Sequence, residues 1–230
     1  MNESIKDRVQ KLNEKIAEIS AGMGINSDNI HLVAISKRQP DSKIIEAQNA
    51  GIKYFGENKV QEFVDKFENL EIKTDWHFVG HLQTNKIKYI LDKVNLIHSV
   101  DSLHLAQKIS QLSDAKNKKS EFLLQVNTSG EESKFGFNES QLMDELDIID
   151  KLENVRVKGL MTMAPFTENT NIISKSFAAL KKLYDKIDGL KLDNIKMQYL
   201  SMGMSSDYEI AIKEGSNMLR IGTSIFGPRN

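Results

Sequence analysis

Two rhythms of apolar spacing alternate along this chain. The first runs through Ile5, Val9, Leu12, Ile16 and Ile19, with Glu3, Lys6, Asp7, Arg8 and Lys11 around them. Steps of three and four residues place apolar groups on one helical face. An amphipathic leading helix is therefore predicted over about 4–23. The second rhythm consists of short apolar runs at 30–36, 54–56, 76–79, 96–99, 121–127, 156–161, 196–200 and 218–221. Helical patterns separate them, for example at 42–50, 102–113, 139–151 and 172–187.

Strands that alternate with helices build a parallel sheet. Eight of them in 230 residues predict an α/β fold closed into a (β/α)8 TIM barrel, with the leading helix as an addition. A doubly wound open sheet is the alternative, because counting strands does not reveal closure. There are 3 prolines and no low-complexity linker, so residues 1–230 read as one domain.

Composition narrows the function. Hydrophobic residues make up 40% and charged residues 27% of the chain, enough for a sizeable core. A formal net charge of -1 offers no field to steer nucleic acid or an anionic membrane. Lys116, Lys118 and Lys119 form only a local basic cluster and read as a solvated loop. Cysteine is absent, which removes disulfides and thiolate metal sites and fits a reducing cytoplasm. The N-terminus lacks the apolar segment of a signal peptide, and no run is long enough for a membrane span.

In a barrel of this kind, ligand chemistry gathers at the C-terminal ends of the strands. Those ends carry Lys37, Glu57 with Asn58, His77 to His81, Ser99 with Asp101, Asn127 with Thr128, Met161 with Thr162, Ser201, and Arg220 to Thr223. Lys37 is the most telling, because Leu32-Val33-Ala34-Ile35-Ser36 is an apolar run that stops in one amine. A lysine held partly out of water titrates low, and its neutral amine forms a Schiff base with an aldehyde. A solvated lysine after a strand is the plainer alternative.

Two small-residue segments follow the last two strands. Ser201-Met202-Gly203-Met204-Ser205-Ser206-Asp207 and Arg220-Ile221-Gly222-Thr223-Ser224-Ile225-Phe226-Gly227 let backbone N–H groups approach an anion. Helix capping by Ser205 or Ser206 would also explain the first. Phosphate cups in such barrels lie after strands seven and eight. A phosphate site there, facing an amine on the adjacent first strand, suits pyridoxal 5'-phosphate. That cofactor also needs a partner at its ring nitrogen. Arg220 is the candidate; a guanidinium cannot take up that proton and would keep the nitrogen unprotonated. A salt bridge to phosphate or a loop is the other use for Arg220.

The same residues resemble a known family. Val33-Ala34-Ile35-Ser36-Lys37, Phe55-Gly56-Glu57-Asn58-Lys59-Val60-Gln61-Glu62 and Trp76-His77-Phe78-Val79-Gly80-His81-Leu82-Gln83-Thr84-Asn85-Lys86 look like the pyridoxal phosphate homeostasis proteins, the YggS/PROSC group. So do residues 127–136, Gly159-Leu160-Met161-Thr162-Met163-Ala164, and the two late segments above. The resemblance covers nearly the whole chain. It implies a barrel of the alanine racemase N-terminal kind (fold-type III), with the cofactor held on Lys37. It implies Asn58 near the cofactor ring, Ser201 with Gly222 and Thr223 at the phosphate, and Arg220 at the pyridine nitrogen. It also implies a role in vitamin B6 and amino-acid homeostasis, without an established catalytic reaction and so without catalytic residues. Apoenzymes that depend on pyridoxal phosphate are then candidate partners.

Other residues carry weaker signals. His77 and His81 are four apart, but Gly80 and a strand end intervene, so hydrogen bonding is expected rather than a metal. Lys59 and Lys86 read as exposed helix lysines. Lys134 lies in a ligand-facing loop and could receive the cofactor from Lys37, although an ion pair with Glu131 or Glu132 is the simpler expectation. Met163-Ala164-Pro165-Phe166 is either a lid or a capped turn. Met161, Met163, Met202 and Met204 read as packing around a pocket.

Three functions follow for comparison. The leading one is a cofactor-holding homeostasis protein. A low-activity racemase is the second, and a phosphate-binding barrel without the cofactor is the third. Alanine racemases add an all-β domain and a tyrosine base from a partner subunit, whereas this sequence stops soon after the barrel, at Pro228-Arg229-Asn230. A monomer without a second base is the expectation.

Overall fold

Main-chain pairing runs around a ring in sequence order. The strands are β1 (His31–Ile35), β2 (Tyr54–Glu57), β3 (Asp75–Phe78), β4 (Leu96–Val100), β5 (Ser120–Gln125), β6 (Val155–Met161), β7 (Ile195–Ser201) and β8 (Met218–Ile221). Each is parallel to its neighbours, and β8 pairs with β1 through His31–Met218 to Ala34–Ile221. That last pairing excludes the open doubly wound sheet. The structure is a computed structural model that describes residues 3–131 and 134–228.

Alternation along the strands produces two cores. Val33, Leu96, Leu123, Met161 and Met218 point inward and form a small cluster inside the barrel. Their neighbours Ala34, Ile97, Phe122, Leu124, Leu160 and Leu219 face the surrounding helices and belong to the main core. The period of two in strand side chains separates these layers.

The first helix, α1 (Ile5–Gly22), starts at a capping box in which Ser4 Oγ accepts from the Asp7 N–H and the Asp7 carboxylate reaches back. Its buried face is Ile5, Val9, Leu12, Ile16 and Ser20. Each large apolar side chain on that face contributes about 1.5–3 kcal/mol on burial. The other helices are α2 (Asp41–Asn49), α3 (Val60–Asn69), α4 (Ile87–Ile90), α5 (Leu103–Asp114), α6 (Glu139–Asp150), α7 (Thr170–Gly189), α8 (Tyr208–Lys213) and α9 (Thr223–Phe226). α1 packs on α2, α8 and α9, and so covers the seam where β8 meets β1.

The eight expected strands and the leading helix are all present, with ends displaced by one or two residues. β5 stops at Gln125 because Val126 and Asn127 turn to the loop and pair with Phe137. The short α9 was not apparent in the sequence, since four residues hold too little periodicity, whereas α8 begins just after the Ser201–Asp207 segment, where a helix start was expected. The loop after β7 is stitched to β8 by a 3.0 Å bond from the Arg220 N–H to the Gly203 carbonyl. Gly203 has φ +95°, and a Cβ there would come within 2.5 Å of Ala211 Cβ.

Candidate functional site

The strand ends open on a cavity of about 400 Å³ whose lining includes Lys37, Ser205, Ser206, Arg220, Gly222 and Thr223. Lys37 follows β1 and shares the inward parity of Val33 and Ile35. Arg220 is in register with Val33 on the adjoining strand. Closure of the barrel therefore brings the two side chains to one cavity, although 183 positions (220 − 37) separate them in sequence.

Arg220 is buried and held at both ends of its guanidinium. Nη1 donates to Ser201 Oγ at 2.7 Å, and Nη2 donates to the Thr162 carbonyl at 2.8 Å. Burial pushes the guanidinium down to about 10, against the attraction of the Asp207 carboxylate, so it remains cationic near neutrality.

Ser201 passes the contact inward. Its Oγ lies 3.0 Å from His98 Nδ1, and His98 Nε2 lies 3.0 Å from His77 Nδ1. Burial pushes His77 down to about 3, with His31 adding to the effect. Burial, His77 and Arg220 together hold His98 well below the ordinary histidine range. Both rings are thus neutral at pH 7, and each carries one N–H. Because Arg220 only donates, a file running from Ser201 to His98 to His77 gives the Ser201 hydroxyl proton an acceptor. His77 ends the file at a second cavity, on the N-terminal side of the barrel, beside Asp75 and Asn95.

Two backbone donors make the cup. The N–H groups of Gly222 and Ser224 both point at Ser205 Oγ, each at 3.3 Å. They sit at the start of α9, and their convergence on one oxygen suits a phosphate oxygen equally well. An amine, an anion cup and a buried guanidinium on one cavity form a donor set that fits pyridoxal phosphate.

Of the six residues expected at the cofactor, Lys37, Arg220, Gly222 and Thr223 line this cavity, whereas Asn58 and Ser201 do not. Ser201, expected at the phosphate, is fully buried beneath Arg220, and its hydroxyl is engaged there. Ser205, which belongs to the segment expected to meet an anion and was also a candidate helix cap, lies on the cup donors. Asn58 follows β2 and is half-buried. Its carbonyl lies where a Cβ on Gly80 would approach to 2.1 Å, so glycine lets these two strand ends meet. Glu57, named as a strand end, faces away from the cavity toward α3.

The histidines diverge. His77 enters the core, while His81 is exposed, lies 3.0 Å from Asp101 and stacks on Phe135 at 3.9 Å. Among the described residues no cluster of three or more histidine and acidic groups could hold a metal. Lys134 Nζ pairs with Glu131 at 2.9 Å and donates to the Ala164 carbonyl at 3.2 Å. Glu132 lies outside the described residues. Met161 and Met202 are buried, Met163 is exposed, and Met204 and the fully exposed Phe166 border the cavity. His98 was missed as a site residue, whereas Thr162, named among the strand ends, accepts from Arg220. For His98 a signal existed, since it shares the inward parity of Leu96.

A family model described as alanine racemase, N-terminal domain, matches residues 10–230. Fold and site thus define a barrel of the alanine racemase N-terminal class. A pyridoxal phosphate homeostasis protein of Aquifex aeolicus is 40% identical over 224 residues, 97% of each chain. A crystal structure of an unknown protein from Bifidobacterium adolescentis superposes with a TM-score of 0.91 at 34% identity, covering 96% of this chain and 94% of that one. PipY of Synechococcus elongatus, solved with PLP bound, matches with a TM-score of 0.81 at 32% identity, covering 92% of this chain and 100% of that one. The chain belongs to the pyridoxal phosphate homeostasis protein family.

Proposed function

We propose that this protein binds pyridoxal 5'-phosphate in the 400 Å³ cavity and holds it covalently through Lys37 as part of vitamin B6 homeostasis. The observation that carries this reading is the convergence of Lys37, Arg220 and the Gly222–Ser224 donor pair on one cavity. When bound, the cofactor supplies an aldehyde carbon for an amine and a ring that can accept electrons. Lys37 contributes the amine, and Ser205, Thr223 and the N–H groups of Gly222 and Ser224 take the phosphate. Arg220 faces the ring nitrogen, and Ser201 acts on the cofactor through Arg220.

We further infer that the protein stores and delivers the cofactor rather than turning over amino acids. The support is Arg220: a buried, permanently charged donor offers no proton acceptor to the ring nitrogen, which leaves a weak electron sink. Apoenzymes that use pyridoxal phosphate are the recipients in this reading.

Reconstituted protein should show a visible absorption band that borohydride abolishes, with the label mapped to Lys37. Colourless protein with Lys37 unmodified overturns the reading. Incubation with L- and D-amino acids in deuterated water separates storage from racemisation: exchange at Cα with turnover would establish the racemase instead.

A further inference from the structure

Lys37 sits at the corner of a four-residue turn. The Gln39 N–H donates to the Ser36 carbonyl at 3.0 Å, which closes the turn around Lys37 and Arg38. Arg38 has φ +59°, the left-handed region that favours glycine or asparagine at this place in a turn. Something other than local preference must hold it.

A buried ion cluster behind the strand does so. Lys66, on the inner face of α3, places Nζ 2.7 Å from the Ser36 carbonyl, 2.7 Å from Glu57 Oε1 and 2.7 Å from Glu62 Oε1. Ser36 Oγ donates to the same Glu57 oxygen at 2.6 Å. The Arg38 N–H donates to Glu62 Oε1. Both neighbours of Lys37 are therefore gripped through backbone atoms by one cluster. Stability alone does not call for it, since apolar residues often replace a buried ion pair at no loss. The cluster is not even fully satisfied: the buried Glu57 Oε2 has no hydrogen-bond partner among the described residues.

We propose that Lys66, Glu57 and Glu62 are positioning residues that lock the 36–39 turn and so aim the Lys37 amine into the cavity. This rests on the reading of Lys37 as the covalent attachment point. A locked turn keeps the amine in reach of a ligand aldehyde, so its loss should slow covalent capture while leaving the anion cup on β7 and β8 intact. Misplacing a reacting atom by an ångström costs up to about a hundredfold in rate.

The experiment compares two ligands that share a phosphate. Pyridoxal phosphate reports capture, as the rate of borohydride-trapped label at Lys37. Pyridoxine 5'-phosphate has an alcohol in place of the aldehyde and reports noncovalent binding, at the cup and the ring nitrogen, without capture. Glu62→Ala, at a half-exposed position, and Lys66→Met should slow capture by about tenfold or more with pyridoxine phosphate affinity unchanged. Arg38→Gly in the Glu62→Ala background should restore much of the rate, because glycine adopts positive φ without support. If Lys66→Met does not fold, Glu62→Ala and its rescue decide alone. Capture at the wild-type rate in Glu62→Ala, or capture and pyridoxine phosphate binding falling together without rescue, overturns the proposal. Failure of the underlying reading is distinguishable, because the wild type itself would then carry no label at Lys37.

Discussion

Arg220 and Ser201 are joined by a 2.7 Å hydrogen bond that leaves the Ser201 hydroxyl facing His98 rather than the cavity. Ser201→Ala should therefore act through the guanidinium. A hydrogen bond to a charged group is worth about 1.5–3 kcal/mol, so pyridoxal phosphate affinity should fall at least roughly tenfold. Inorganic phosphate, which needs only the cup, should bind as before. Titration of both ligands checks this, and equal losses for both would place Ser201 at the anion after all.

Ser205→Ala is expected to give the opposite split. Its hydroxyl lies on the two cup donors at 3.3 Å, so loss of one phosphate contact should weaken pyridoxal phosphate by about 1 kcal/mol. Pyridoxal without phosphate should be unaffected. Fluorescence titration with the two aldehydes makes the comparison.

The buried histidine pair predicts an acid-side loss of stability. His77 is pushed down to about 3 in the fold, whereas the unfolded chain takes up a proton near pH 6.5. The unfolded state then binds more protons between these values, so stability is complete above about pH 6.5 and drains away as pH falls toward 3. Each histidine kept neutral costs about 1.4 kcal/mol per pH unit in that window. Urea midpoints from pH 7 to pH 4 should decline, and His98→Gln should flatten the slope. An unchanged slope in the variant would mean that other groups set it.

Gly80→Ala tests the meeting of two strand ends. The added Cβ would lie 2.1 Å from the Asn58 carbonyl, and backbone there must shift. A loss of about 1–3 kcal/mol is expected, read as a lowered urea midpoint. A variant as stable as the parent would show that the loop absorbs the methyl group without strain.

Several parts of the site were legible in the chain because they are local. Lys37 closes an apolar strand, and the small residues from 201 to 207 and from 220 to 227 advertise backbone approach to an anion. The pairing of the seventh and eighth strands with a cup follows from barrel geometry. Other parts were hidden for a common reason. His98 looked like one member of the short run at 96–99, and its bond to Ser201 crosses 103 positions. Lys66 carries no local mark of its role, yet its amine holds the carbonyl next to Lys37.

The amino-acid order by itself determined the alternation of strands and helices and the kind of chemistry at each strand end. Those depend on spacing and on residue type, which are local properties. Closure of the ring, the division of labour between Ser201 and Ser205, and the cluster behind Lys37 were decided only in three dimensions. Each rests on which side chains meet across the barrel wall, and hydrogen bonds of 2.6–3.3 Å between distant segments leave no periodic trace in the sequence.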